Sequence, residues 1–349
     1  MNCFSRFFIA FACCAYCFTA LGAQSAPGAR VERYTFGVLG DTPYNSDEES
    51  EFIAVLAEMN HERLAFAVHV GDFKSATTPC SDELYLQRRD WFELAHHPLV
   101  YVPGDNEWTD CWRPFGASAD PLERMAKLRD LFFSDERRMG QSSLRLIRQN
   151  VSGAPRHPYP EHLQWTHGRV VFVTLNAPGP DNNRTRMPNE AAERMLAARD
   201  WLQAAFLKAR KERLPGIVVL MQANPWRRTG GPRAAFTELL NDLAIEASNY
   251  SGTVLLVHGD THRYRVDQPL VHPATRTVVP NVTRVEVFGS PQVNWVRITA
   301  TVERETARFQ ISPGSRYLSR SDEIFVVGGG SRGVVVNTPR TTPRVTSNQ

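Results

Sequence analysis

The sequence predicts an α/β sandwich built from two halves, the second ending in an antiparallel set. Three observations carry that expectation. Short β-branched and aromatic runs alternate with longer stretches of helical periodicity. Four of those runs end in Gly-Asp: FGVLGD at Asp41, FAVHVGD at Asp72, LVYVPGD at Asp105 and VLLVHGD at Asp260. At 349 residues and 42% hydrophobic content, the chain can bury a sizeable core.

The elements follow in order. Tyr34–Leu39 reads as the first strand, and the periodicity of EESEFIAVLAEMNHE makes Glu48–Glu62 a helix. Then come a strand over 65–70, a helix near Asp82–Ala95 and a strand over Leu99–Val102. In Asp120–Phe133 an Asp at the start, Pro at the first helical position and apolar residues at helical spacing predict another helix. Residues 137–164 are polar and Pro-rich and read as an irregular excursion over the site. Strand Val170–Leu175, a long helix over Asn189–Arg213, strand Ile217–Met221, helix Arg233–Ser248 and strand Thr253–His258 complete the alternation. Val282–Val287, Trp295–Val302 and Arg308–Ile311 read as consecutive strands. The stretch 328–349 lacks acidic residues and bulk to bury, so it reads as a disordered tail.

The first 23 residues stand outside the fold. One basic residue (Arg6), an apolar stretch from Phe7 to Leu21 and small residues at Ala20, Gly22 and Ala23 have the pattern of a secretory signal. The stretch is too short for a stable membrane anchor. Export to the periplasm or outside the cell is therefore expected. Four of the six cysteines lie in this leader, leaving Cys80 and Cys111. Each lies a few residues beyond a Gly-Asp motif, so loops leaving neighbouring strands would bring them within disulfide reach. Two unpaired thiols, or one thiol serving as a metal ligand, are the other readings.

The formal charge of +3 and the lack of a basic, aromatic-interleaved stripe argue against a nucleic-acid partner, and none is expected. The Gly-Asp motifs carry the chemistry. Chance pairing at this composition would give about one such dipeptide. Gly lets the backbone turn sharply at a strand end. The following Asp projects at the carboxyl edge, where ligands bind in α/β sheets. Four converging carboxylates repel unless a cation neutralises them. A single Gly-Asp would more simply be a turn or helix cap; four in series point to a metal centre. His69 and His258 lie inside strand runs and read as core residues, whereas His96 and His97 read as solvent-exposed. Tyr44, Trp108, Arg113 and Trp226 flank the motifs, where packing and pocket lining both remain open.

The order and spacing of these blocks resemble the calcineurin-like metallophosphoesterase superfamily, over roughly residues 34–300. The matching blocks are Asp41-Thr42-Pro43, Gly71-Asp72, Gly104-Asp105-Asn106-Glu107, Met221-Gln222 and Gly259-Asp260-Thr261-His262. The resemblance implies a four-layer α/β/β/α sandwich with mixed sheets, spanning residues 34–312. It further implies one ion held by Asp41, Asp72 and His262 and a second by Asp72, Asp105, Asp260 and Gln222. Pro43 stands where that family has a ligand His, Asp105 where it has Asn, and Gln222 and Asp260 where it has His. Exchanging imidazole for oxygen favours hard ions, Mn²⁺ first, then Mg²⁺ or Ca²⁺, over Fe and Zn²⁺. Gln222 and Asn224 sit in MQANPW, where a structural turn explains them as readily as ligation.

The resemblance also implies hydrolysis of a small phosphorylated substrate by metal-activated water. The position of the family's proton donor holds Asn106, which cannot supply a proton at neutral pH; adjacent Glu107 could do so if burial raised its pKa. Two function classes follow. One is an exported metal-dependent phosphoesterase with an oxygen-rich site, and the other a relative that binds metal, a phosphorylated ligand or a protein without turnover. The replacements install Asp or Gln, which still carry ligand oxygens, and this favours the enzyme.

Overall fold

The computed structural model describes residues 31–134, 139–149, 159–314 and 324–328. The leader, the middle of the 137–164 excursion and the tail beyond Gly328 lie outside the described residues.

In chain order the elements are β1 (Glu32–Leu39), α1 (Ser46–Asn60), β2 (Leu64–His69), α2 (Asp82–Phe92), β3 (Leu99–Tyr101), α3 (Pro121–Phe133), β4 (Ile147–Arg148) and β5 (Leu163–His167). They continue with β6 (Val170–Thr174), α4 (Pro188–Lys211), β7 (Gly216–Leu220), α5 (Thr237–Ser248) and β8 (Thr253–His258). The last are β9 (Arg265–Asp267), β10 (Val282–Glu286), β11 (Val296–Glu303), β12 (Thr306–Pro313) and β13 (Phe325–Gly328).

Helix starts follow local chemistry. Asn45 caps α1 by accepting from the amides of Asp47 and Glu48, and Ser81 caps α2 through the amide of Leu84. Asp120 caps α3 ahead of Pro121, as the sequence predicts.

The strands form two mixed sheets, ordered β13-β12-β11-β1-β2-β3 and β4-β5-β6-β7-β8-β10-β9. Period-two alternation assigns each side chain of the second sheet to one of two cores. Phe172, Val218, Leu220, Leu255 and Val257 face the first sheet, in one cluster with Phe36, Phe66, Phe52, Tyr85 and Leu128. Val171, Val173, Ile217, Val219, Val254 and Leu256 turn outward to Leu202 and Phe206 of α4 and Leu243 of α5. The layers are therefore helix, sheet, sheet, helix, the expected sandwich.

Several expectations change. The terminal strands are not one antiparallel set: β10 joins the second sheet parallel to β8, while β11, β12 and β13 pair antiparallel in the first. The Gly-Ser-Pro connection after β10 carries the chain between the sheets, and strand spacing cannot reveal such a crossing. The excursion ends in β4 and β5, a short antiparallel extension beside β6; apolar alternation over Leu163 and Trp165 was too brief to read beside its Pro-rich flank. Helix α5 begins at Thr237, with a 3₁₀ turn over Ala234–Phe236 before it. Gly328 belongs to β13 rather than to the tail. His97 is buried at 5% exposure, not solvated like the neighbouring His96.

Candidate metal centre

Strands β1, β2 and β3 run parallel and deliver Asp41, Asp72 and Asp105 just beyond their carboxyl ends. Parallel strands β7 and β8 of the other sheet deliver Gln222, Asp260 and His262 to the same seam. Asp41, Asp72, Asp260 and His262 all adopt positive φ, at 53°, 57°, 79° and 56°. Non-glycine residues in this left-handed region cost free energy and concentrate at functional sites. Glycines open the space for the carboxylates. A Cβ on Gly104 would lie 2.0 Å from Oδ1 of Asp72, and one on Gly259 would lie 2.0 Å from Oδ2 of Asp41.

The carboxylates are tied together by hydrogen bonds across the seam. The amide of Asp260 donates to both oxygens of Asp41, at 2.9 and 3.1 Å. Oδ2 of Asp260 accepts from the amide of Asn224 at 2.9 Å. Asp72 receives the amide of Asn106 on Oδ1 at 3.0 Å and, on Oδ2, Nε2 of Gln222 at 3.0 Å and the Tyr44 hydroxyl at 3.3 Å. Nδ1 of His262 lies 2.7 Å from the carbonyl of Ser290. A carbonyl only accepts, so Nδ1 donates to it, and Nε2 is the nitrogen turned toward the Tyr44 hydroxyl. That nitrogen faces the seam, 3.2 Å from the Tyr44 hydroxyl and 3.7 Å from Oδ1 of Asp41. Oδ1 of Asp105 is buried and has no partner among the described residues.

Electrostatics sharpen the picture. Burial, reinforced by neighbouring carboxylates, pushes Asp41, Asp72 and Asp105 well above the ordinary carboxylate range. Burial also raises Asp260, to about 6. The nearby cation, Lys74, gives its ammonium to the carbonyls of Ser75 and Thr78 and not to these acids. Burial lowers it to about 8.

Asp41, Asp105, Asp260 and His262 bring donor types that suit a divalent cation to this edge, although no three of them converge closely enough to hold it in this arrangement. An unpartnered buried carboxylate oxygen calls for one. An imidazole that donates its far N–H to a carbonyl is the usual arrangement of a ligating His. The two-ion set implied by the resemblance is not assembled. Among the described residues no three His, Cys, Asp or Glu side chains converge closely enough to hold an ion. Gln222 has no free polar atom: Oε1 accepts the amide of Gly179 at 2.6 Å, and Nε2 serves Asp72. It orients a carboxylate here, where the sequence had suggested a ligand. Asn224 forms a turn, accepting from the amide of Trp226 at 3.1 Å.

The expected catalytic positions are also held. Asn106 gives Nδ2 to the Tyr44 hydroxyl and to the carbonyl of Lys74, both at 3.0 Å. Oε1 of Glu107 accepts from the amide of Phe73 at 3.1 Å and the Tyr101 hydroxyl at 3.0 Å, in the buried interior. His69 and His258 are buried as expected, bonded to the carbonyls of Thr42 and Gly259. Trp108 and Trp226 are buried and pack, whereas Tyr44 reaches the site. Sequence reasoning left Tyr44 undecided and missed Glu286, which accepts from the Thr261 hydroxyl and the Arg263 amide and so fixes the Asp260–His262 turn. Only the position of Tyr44, three residues after Asp41, could have drawn attention to it. Sulfurs of Cys80 and Cys111 are bonded, with Cα atoms 5.8 Å apart.

Among solved structures the chain is similar to PhoD, at a TM-score of 0.51 and 14% identity, over 90% of this chain and 73% of that one. It is also similar to the purple acid phosphatase PPD1 of yellow lupin seeds, at a TM-score of 0.50 and 11% identity. There the match covers 84% of this chain but only 54% of the lupin chain. The fold is that of the metallophosphoesterases. No protein-family profile and no curated protein sequence matches the chain. The likeness thus lies in the path of the metallophosphoesterase backbone. Its carboxyl edge is where the four Gly-Asp turns stand, and identities this low carry nothing further.

Proposed function

We propose that this chain is an exported phosphoester hydrolase dependent on a hard divalent cation. The observation that carries the reading is Oδ1 of Asp105, a buried carboxylate oxygen with no partner among the described residues, on an edge crowded with buried carboxylates that also carries the His262 imidazole. Asp41, Asp105, Asp260 and His262 would hold the ion, with Mn²⁺ preferred over Zn²⁺ because oxygens dominate the set. A bound divalent ion supplies Lewis-acid polarisation of a phosphoryl oxygen and acidifies water.

The remaining roles belong to the chain. Gln222 and the Asn106 amide fix the Asp72 carboxylate from opposite sheets. Tyr44 and Asn106 hold each other at the mouth of the seam. Asn106 cannot protonate a departing alkoxide at neutral pH, so the site suits substrates whose leaving group is a weak base, such as aryl phosphates and phosphoanhydrides. Export is supported by the leader pattern and the Cys80–Cys111 bond. No described helix is long and apolar enough to cross a membrane.

One observation favours a second reading, binding without turnover: both oxygens of Asp72 already accept hydrogen bonds, which compete with its bridging two ions. Hydrolysis of an aryl and an alkyl phosphate with Mn²⁺, alongside metal analysis of protein purified without chelator, separates the two. The hydrolase reading expects aryl turnover about 10²–10⁴-fold faster than alkyl, the usual contribution of a positioned acid. It also expects Asp105→Ala to abolish both activity and bound metal. Bound metal with no turnover of either ester selects the binding protein.

A further inference from the structure

The loop leaving β3 carries a feature that the acidic floor does not use. Trp112 is 40% exposed and Phe115 68% exposed, an unusual density of bare aromatic surface within four residues. The Arg186 guanidinium, from the loop after β6, lies 4.3 Å from the centroid of the Trp112 ring, so the two loops meet there. Arg113 reaches 6.0 Å from the same centroid and pairs with Asp110 at 3.0 Å. The Asp110 amide donates to the Asp105 carbonyl at 3.0 Å, so this cluster begins two hydrogen bonds from the candidate centre. Cys111, between Asp110 and Trp112, is bonded to Cys80 and pins the loop. Among the described residues Arg184 and Arg186 pair with no carboxylate.

We propose that Trp112 and Arg186, with Arg113 and Phe115 beside Trp112 on the same loop, form a subsite for a ligand that joins a planar ring to phosphates, the chemistry of a nucleoside diphosphate. The inference rests on the hydrolase reading only for the location of the scissile phosphate; the subsite itself is a binding surface. An exposed indole stacks on any base face, and arginine adds both charge and a planar stacking surface. Cations with no carboxylate partner remain available to phosphate oxygens, which guanidinium recognises in bidentate fashion. The acidic floor repels anions on its own, so a phosphate needs this basic rim as well as the cation.

The test is calorimetric titration of the full oxidised chain, with Mn²⁺, using two non-hydrolysable probes: α,β-methylene-ADP and methylenediphosphonate. They share the phosphonate pair and differ in the nucleoside. The nucleotide probe should bind about tenfold more tightly, the scale of one base–aromatic stack. Trp112→Ala should erase that preference and Trp112→Phe should keep it. Arg186→Gln should weaken both probes. Equal affinity for the two probes, no binding of either, or a nucleoside preference that survives Trp112→Ala would overturn the subsite. Preference without turnover of any phosphoester would leave the subsite standing and remove the hydrolase reading; turnover with equal affinities would do the reverse.

Discussion

Gln222 donates from Nε2 to Oδ2 of Asp72 at 3.0 Å, joining the end of a strand in one sheet to the end of a strand in the other. Its Oε1 is held at the same time by the amide of Gly179. A residue at a metal-ligand position has become the clasp of the seam, and Asp72 is oriented by an amide and a phenol. The consequences can be measured.

In chelator the protein should lose stability as pH rises. Asp41, Asp72, Asp105 and Asp260 have folded pKa values above their unfolded ones, Asp260 at about 6 against roughly 3.9 unfolded. Such groups bind more protons folded than unfolded, so their contribution is complete below the unfolded value and disappears as pH climbs through the folded one. Asp260 alone accounts for on the order of 3 kcal/mol. Urea midpoints should therefore fall as pH climbs through about 6, where Asp260 ionises, and keep falling above it as the more strongly raised groups follow, and saturating Mn²⁺ should remove the slope. A flat metal-free profile would count against a crowded acidic floor.

Acid unfolding should report histidine. Burial lowers His69 and His162 to about 4 and His258 to about 3. The unfolded chain takes up these protons near pH 6.5. Stability from these groups is present above that value and is lost as pH falls toward 4. Replacing His258 with Gln should flatten the acid limb of a pH–stability curve, and an unchanged limb would show that other groups govern it.

Gly104→Ala should be among the most damaging of small substitutions. Its Cβ would stand 2.0 Å from Oδ1 and 2.6 Å from the amide nitrogen of Asp72. Strain of this kind costs typically 1–3 kcal/mol, and Mn²⁺ affinity should fall with it because relieving the clash shifts the adjacent Asp105. Gly230→Ala is the comparison for backbone strain without a clash: φ is +87°, but no atom lies within 4 Å of its added Cβ. Thermal melts with and without Mn²⁺ give both readouts.

Tyr44→Phe should reduce activity or ion affinity by about 10–100-fold, the usual effect of removing a partner that orients a ligand. The hydroxyl lies within hydrogen-bond reach of Asp72, Asn106 and His262. The ring packs edge-on against His262 at 5.1 Å and is kept in Phe, so the melting temperature should change little. Unaltered kinetics and metal content would reduce Tyr44 to packing.

Sequence alone was sufficient for the alternation of strands and helices, the four Gly-Asp turns and the proximity of Cys80 to Cys111. Each is local: periodicity, a glycine hinge, or two loops leaving adjacent parallel strands. It also placed Asp41, Asp72, Asp105, Asp260 and His262 at one edge, because parallel strands share their carboxyl end. Only the tertiary structure decided what those residues touch. That Gln222 clasps Asp72, that Tyr44 stands between Asn106 and His262, and that Arg186 lies over Trp112 all join segments from 62 to 218 positions apart. The placement of β10 beside β8, away from β11, is of the same kind. Hydrogen bonds and ring contacts are satisfied within about 3–6 Å, and which distant side chains come that close depends on how two sheets pack, which no spacing in the chain records.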